Sequence, residues 1–560
     1  MFQDHGENAA NGRLLRRFYE PLILLSVLDP TRGAQRPDLI TDRGLQGRQK
    51  LWRSFLDQLS FLCDAKKGGD TVTAIAARRT VEHTVFWLAS NSNARRKAKN
   101  HVEWILSRLN NLYDADLEET VRIENDITTR CIEFSSTRIN TYVTFLLKDL
   151  EKARPCELTK RDEDKQLFDA LKPFEQHRDN PRALCAYAYE FRRMEAVRIL
   201  TKRHISHEAR GRWSDIRHNI GRLGCWVKAV KILLEAAQSF PQQLEGAKVD
   251  QILPRGPADI PPRRNECIAL DFKDLVKRMV PKSNKAVADR LNQSLDELKA
   301  MMPLTRHFEE TYMTFEPRPH AEVLVLEHFS ERHFEFVNDD RYIGCSKPSC
   351  YCCALYMKVH PGRFEPRACH GNLWPNWAPP IPLPVITSPT KKGALMQRPQ
   401  NHHTFRMLQD MVPHIRRDVE EQIQSRRPRR DRLPDSTTGM SSVVMNPNHV
   451  GSNLPGTDRV GRDVAGMIAS LVTGDEHGRE GVEGADAGSN AADDGLSITM
   501  GAEDGSSSLP MSASSRLNSD EDEGERQYGL RLSTILQDSS SEDEDGGVLL
   551  FSGRRQLDFR

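Results

Sequence analysis

The sequence lacks an apolar run long enough to cross a bilayer: "LILLSVL" at 22–28 is well short of the roughly 20 apolar residues that a spanning helix needs. Its first residues, "MFQDHGENAANGRLL", hold no basic region followed by an apolar core, so no secretory leader is expected. An excess of either charge is missing too. The 80 Lys and Arg offset 79 Asp and Glu to a net charge of +1 at pH 7, so net charge singles out neither a polyanion nor a basic partner. Nor are there enough cysteines for a disulfide scaffold, with 11 in 560 residues. Five of those, Cys345, Cys350, Cys352, Cys353 and Cys369, crowd into one short region. That crowding implies a metal site in a reducing compartment, so the expected location is intracellular, cytoplasmic or nuclear, with no membrane partner.

What is present is helical periodicity. In "LWRSFLDQLSFLC", Leu51, Phe55, Leu59 and Leu62 share a face, and in "SNKAVADRLNQSLDELKAMM" the stripe is Val287, Leu291, Leu295, Leu298 and Met302. Few alternating runs interrupt this pattern between residues 46 and 300. The basic stretch "TKRHISHEARGRWSDIRHNIGRLGCWVKAVK" interleaves Trp213 and Trp226 among its cations, which suits phosphate tracking with base stacking, but a solvated helical face is the favoured reading, with Trp226 in an apolar stripe. "ILPRGPADIPPRRNE" breaks helix and reads as a connector. After residue 428 the composition turns to Gly, Ser, Asp and Glu, including "SDEDEGE" and "SSSEDEDGG", which cannot bury enough apolar surface to fold. The expected order is a flexible segment over 1–45, a helical domain over 46–245, a Pro-rich connector over 246–282, an α/β zinc domain over 283–427 and a disordered acidic tail over 428–560. Short apolar islands in that tail, "GLRLSTIL" and "GGVLLF", suit docking on a protein partner.

The α/β reading rests on "HFEETYMTFEPRP" as strand, "HAEVLVLEHFSERH" as helix, "FEFVNDDRYIGCSK" as a loop into a strand and "SCYCCALYMKVH" as a second helix. In that order both polar clusters, His320 with Glu322 and Cys350 with Cys353, start helices at one sheet edge, where open α/β sheets bind ligands. A Cys-x-x-Cys at a helix start aims two sulfurs at one ion, and His320 supplies a third ligand, leaving one position for water as in catalytic zinc sites. Cys352 offers a competing thiol; Cys350 and Cys353 are preferred because i and i+3 meet on a helix. Glu322 is then placed to move protons rather than to bind metal. Cys345 reads as a buried small residue, and His370, Trp374 and Trp377 as candidates to line a substrate pocket.

"PHAEVLVLEHF", "YIGCSKPSCYCCALY" and "CHGNLWPNWAPP" together resemble the OTT-type deaminase-like domain, a fungal branch of the cytidine deaminase-like superfamily of nucleic acid and nucleotide deaminases. The resemblance implies a zinc-dependent hydrolase with His320, Cys350 and Cys353 as ligands and Glu322 as the acid–base group. It implies a cytosine or adenine base as substrate, in a nucleotide or a single-stranded nucleic acid. A second reading is a zinc-stabilised module of the same fold without turnover, serving as an interaction or nucleic-acid-binding protein. Two departures stand out. Ser349 separates Pro348 from Cys350, and the hairpin expected before His320 is missing, with "ECIALDF" a possible substitute.

Overall fold

The computed structural model describes residues 2–32, 47–91, 95–153, 162–205, 210–261, 271–383, 402–426, 429, 430 and 432. The expected acidic tail, apart from Arg429, Arg430 and Arg432, and "ECIALDF" apart from its last residues, lie outside the described residues. Among these the chain is mostly helical around a small mixed sheet.

The missing hairpin comes from far upstream. Strands β1 (Thr73–Arg79) and β2 (Thr84–Ser90) pair antiparallel with Ile75 opposite Leu88 and Ala76 opposite Trp87. Next to β2 lies β3 (Lys248–Gln251), parallel to it. Two further strands are short: β4 (Arg318–Pro319) and β5 (Gly344–Cys345), the latter antiparallel to β1. A last one, β6 (Trp377–Ala378), pairs parallel with β4 in a separate ribbon. The main sheet therefore runs β3-β2-β1-β5.

Its two faces serve two cores. Ile75, Ala77, Phe86, Leu88 and Val249 face the helical core, where Trp52 and Phe55 of the helix Gly47–Leu62 pack with the helices between Arg95 and Ser239. Ala74, Ala76 and Ala89 belong to the other core. Their small side chains let the helix Ala321–Glu331 lie close on β1 and β2. That helix is buried from Ala321 to Phe329 without a polar face, as an element enclosed on all sides must be.

Several expectations need correction. Residues 2–28, expected to be flexible, form the helix Phe2–Leu28, in which Phe18, Tyr19, Leu22, Ile23, Leu24 and Leu25 are wholly buried. Each such side chain contributes about 1.5–3 kcal/mol on burial, which favours packing over a solvated coil. The run "LILLSVL" is core, packed largely on the helix His403–Ser425. The helical domain expected over 46–245 contains the hairpin, and the expected connector contributes β3 and the helix Phe272–Met279, whose Phe272, Leu275, Val276 and Met279 are buried. "HFEETYMTFEPRP" is strand only at its last two residues, Arg318–Pro319 of β4, and carries most of the helix Leu304–Thr314, with Leu304, Phe308 and Tyr312 inward. Trp213 and Trp226 are buried in the helical core, so neither presents a face to a base.

Polar ties join the upstream helix to the region of the metal candidates. Asp57 accepts from Tyr342 Oη at 2.6 Å, the Cys345 N–H at 3.0 Å and Arg367 Nη2 at 2.8 Å. Arg53 grips Asp340 with two hydrogen bonds of 2.8 and 2.6 Å. At Gly344 the two backbones come so close that a Cβ would stand 2.4 Å from the Leu56 carbonyl carbon. A side chain there would force the Gly47–Leu62 helix away from β5.

A candidate metal centre at two helix starts

His320 and Cys350 are each the N-cap of a helix, with extended backbone (ψ 153° and 172°), and the Cys350 sulfur caps its helix by accepting the Cys353 N–H. The Ala321 N–H is fixed by Asn91 Oδ1 at 2.7 Å, just past the end of β2. Around Cys350 the backbone is held on both sides: the Ser349 N–H donates to the Ala368 carbonyl at 2.8 Å, and the Tyr351 N–H to the Asn372 carbonyl at 3.0 Å. Segment 368–373 is held in turn by the end of the first helix, with the Arg32 N–H on the Gly371 carbonyl and the Leu373 N–H on the Pro30 carbonyl, both at 2.8 Å. Gly371 has φ +72°, and a Cβ there would stand 2.4 Å from the Arg32 carbonyl oxygen. The clasp therefore needs glycine twice over, for conformation and for space.

His320 Nδ1 lies 3.5 Å from Cys350 Sγ and 3.3 Å from Cys353 Sγ. Ligand atoms around a tetrahedral zinc ion stand roughly 3.3–3.8 Å apart given its usual bond lengths. Cys353 donates its backbone N–H to Cys350 Sγ at 3.5 Å. Burial pushes the Cys350 thiol up, but hydrogen bonding from Cys353 and the charge and hydrogen bond of His320 outweigh it and hold Cys350 well below the ordinary thiol range. Burial lowers His320, and the facing Cys350 more than reverses this. Cys353 goes the other way, raised well above its ordinary value by burial, by Cys350 and by Glu322. Two sulfurs and one imidazole nitrogen at these spacings make a donor set that fits a divalent cation, whose charge would favour both thiolates.

Glu322, 3% exposed, is near enough to Cys353 to help raise its thiol and stands outside the group of three donors. Cys352 is buried and is not among the grouped ligand atoms. Cys345 is buried in β5.

The three pocket candidates diverge. His370 is buried, and its Nδ1 accepts the Asn372 N–H at 3.0 Å while its own N–H donates to the Ser349 carbonyl at 3.1 Å, so it braces the Cys350 clasp. Trp374 is partly exposed, with the Arg432 guanidinium 4.3 Å above its ring. Trp377 is wholly buried and directs its indole N–H to Cys353 Sγ at 3.2 Å. Sequence reasoning missed Asn91, the Pro30–Arg32 clasp and this N–H, because no local spacing links them to the motif.

A second group of metal-capable side chains joins Glu327 of the helix Ala321–Glu331, His360 at the C-cap of the helix Tyr351–Val359 and His403 at the start of the helix His403–Ser425. Its chemistry differs. Tyr356 Oη donates to Glu327 Oε1, His403 Nε2 lies at 2.8 Å from that oxygen and His360 Nε2 at 3.2 Å. The Gly362 N–H donates to His360 Nδ1 at 2.9 Å. The Tyr356 hydroxyl and the His403 contact fall on the same carboxylate oxygen that a metal would have to bind.

Residues 319–381 match the family model OTT_1508_deam, of an OTT_1508-like deaminase, a span that runs from just before His320 to just past Trp377. No curated protein and no solved structure matches the chain. The segment that carries both helix starts and their four polar groups is therefore of the OTT-type deaminase-like family.

Proposed function

We propose that the protein is a zinc-dependent hydrolytic deaminase acting on a cytosine or adenine base, in a nucleotide or a single-stranded nucleic acid. The observation that carries this reading is the convergence of His320, Cys350 and Cys353 within ligand distance, with the buried carboxylate of Glu322 beside them and outside the ligand set. A purely structural zinc site has no use for that carboxylate.

In this reading His320, Cys350 and Cys353 hold the ion, and zinc supplies the positive charge that brings the pKa of water toward about 7. Glu322 would take one proton of the attacking water and pass it to the ring nitrogen, where it stays, and would then carry the hydroxyl proton of the adduct to the amino group, so that ammonia leaves as the carbonyl forms. Enclosure in the apolar core around Cys352 and Tyr356 strengthens each of these charge interactions by excluding water. The substrate base is inferred from the family resemblance, and the acidic tail remains a proposed docking segment for a protein partner.

The test is metal stoichiometry on the purified chain together with ammonia release from a panel of cytosine and adenine substrates, for the unaltered protein and for Glu322→Ala. About one zinc per chain in both proteins is expected, with turnover lowered at least about 100-fold in the variant. Zinc without Glu322-dependent ammonia favours the alternative, a zinc-stabilised module without turnover. Absence of zinc removes the basis of both.

A further inference from the structure

Trp377 is bound at both ends. Its carbonyl accepts the Tyr19 hydroxyl at 3.1 Å, its ring lies 5.8 Å from that of Phe18 and 5.7 Å from that of Tyr356, and its Nε1–H donates to Cys353 Sγ at 3.2 Å. An indole has a single donor and no acceptor, so its orientation is legible from where that one hydrogen goes. Trp226 provides an internal contrast. It is just as buried, in the helical core, and its Nε1 has no hydrogen-bond partner there. A tryptophan that merely fills space in this protein does not need a partner for its N–H, and Trp377 has one in a metal-ligand sulfur.

We propose that Trp377 is a positioning residue of the metal centre: its indole N–H orients the Cys353 thiolate and draws charge from it, and Tyr19 and Phe18 of the helix Phe2–Leu28 hold the indole in place. This rests on the metal reading of His320, Cys350 and Cys353. A thiolate that accepts an N–H donates less electron density to its ion, which leaves the ion more positive and a stronger acidifier of water. The two sulfurs are then unequal. Cys350 accepts a backbone N–H from its own helix at 3.5 Å, whereas Cys353 accepts a closer side-chain donor anchored from outside that helix. Through Tyr19 the first helix reaches the centre, 358 residues away in sequence from the residue it holds.

The experiment uses the full chain loaded with the NMR-active isotope of cadmium, which binds thiolates and reports them by a charge-transfer band in the ultraviolet. One indole N–H, assigned to Trp377 by its contacts with the Phe18 ring, is expected to show scalar coupling to cadmium through the Cys353 sulfur. Trp377→Phe is expected to lose that coupling and to bind cadmium about 10-fold or more weakly, the usual cost of losing a hydrogen bond to a metal ligand. A thiolate–cadmium band without any indole coupling overturns the proposal and leaves the metal reading intact. Absence of the band in the unaltered chain overturns the metal reading, and this proposal with it. Because the coupling is read on the unaltered protein, a variant that fails to fold does not obscure the result.

Discussion

Two thiols beside one imidazole do not share charge equally. Burial pushes both up; hydrogen bonding from Cys353 and the charge of His320 bring Cys350 down, whereas Cys350 and Glu322 add to the rise at Cys353. Glu327, in the helix that His320 begins, shows the opposite arrangement. Burial raises it, but the nearby His360 and His403 rings and the Tyr356 hydroxyl outweigh this and bring it down to about 2. Its folded value lies below the ordinary 4.5, so the stabilisation is complete above that pH and is lost as pH falls toward about 2. Glu327→Gln is expected to destabilise the protein near neutrality and to flatten this acid limb. Urea unfolding of both proteins at about pH 5 and about pH 3 measures it, and parallel pH profiles would show that the carboxylate carries no such linkage.

At the scale of elements, the hairpin is what seats the HAE helix. Ala74, Ala76 and Ala89 are wholly buried and small, and they set how close Ala321–Glu331 lies to the sheet. Because His320 begins that helix while Cys350 begins another, a shift of one helix on the sheet separates the ligands. Ala76→Leu is expected to cost about 1–3 kcal/mol by overpacking and to weaken metal retention as well. Thermal unfolding and zinc content read the two effects separately; a loss of stability with unchanged metal affinity would show that the helix position tolerates the sheet beneath it. These strands were hard to see in the sequence for a physical reason. "TAIAARR" is buried at its first five positions, so both faces are apolar and the alternation that marks a half-exposed strand is absent. Strands of two residues, such as β4, β5 and β6, carry no periodic signal at all. The helix starts were legible because His320, Glu322, Cys350 and Cys353 bring their chemistry within a few residues. The helix Leu304–Thr314 was misread because charged and aromatic residues alternate locally, although Leu304, Phe308 and Tyr312 keep helical spacing.

At the scale of the whole molecule, the expected boundary at residue 283 does not separate an independent unit. The family match at 319–381 supplies the ligands, but Asn91 fixes the start of the HAE helix, Asp57 anchors Cys345 and Arg367, and Pro30–Arg32 clasp the loop that holds Cys350. The last helix packs along the first, so the centre is enclosed by segments from both sides of the helical region. None of this is readable from the motif, since contacts hundreds of residues apart leave no trace in local spacing. An excised 283–427 fragment exposes the apolar faces that Phe2–Leu28 and the Thr73–Ser90 hairpin cover, and it loses a whole side of its core. Such a fragment is therefore expected to unfold without a cooperative transition and to hold no stoichiometric metal, while the full chain does both. Calorimetry and metal analysis on the two proteins decide the point: a fragment that melts cooperatively with about one bound zinc would restore the self-contained domain, and its failure would make the upstream helix and hairpin part of the metal centre's scaffold.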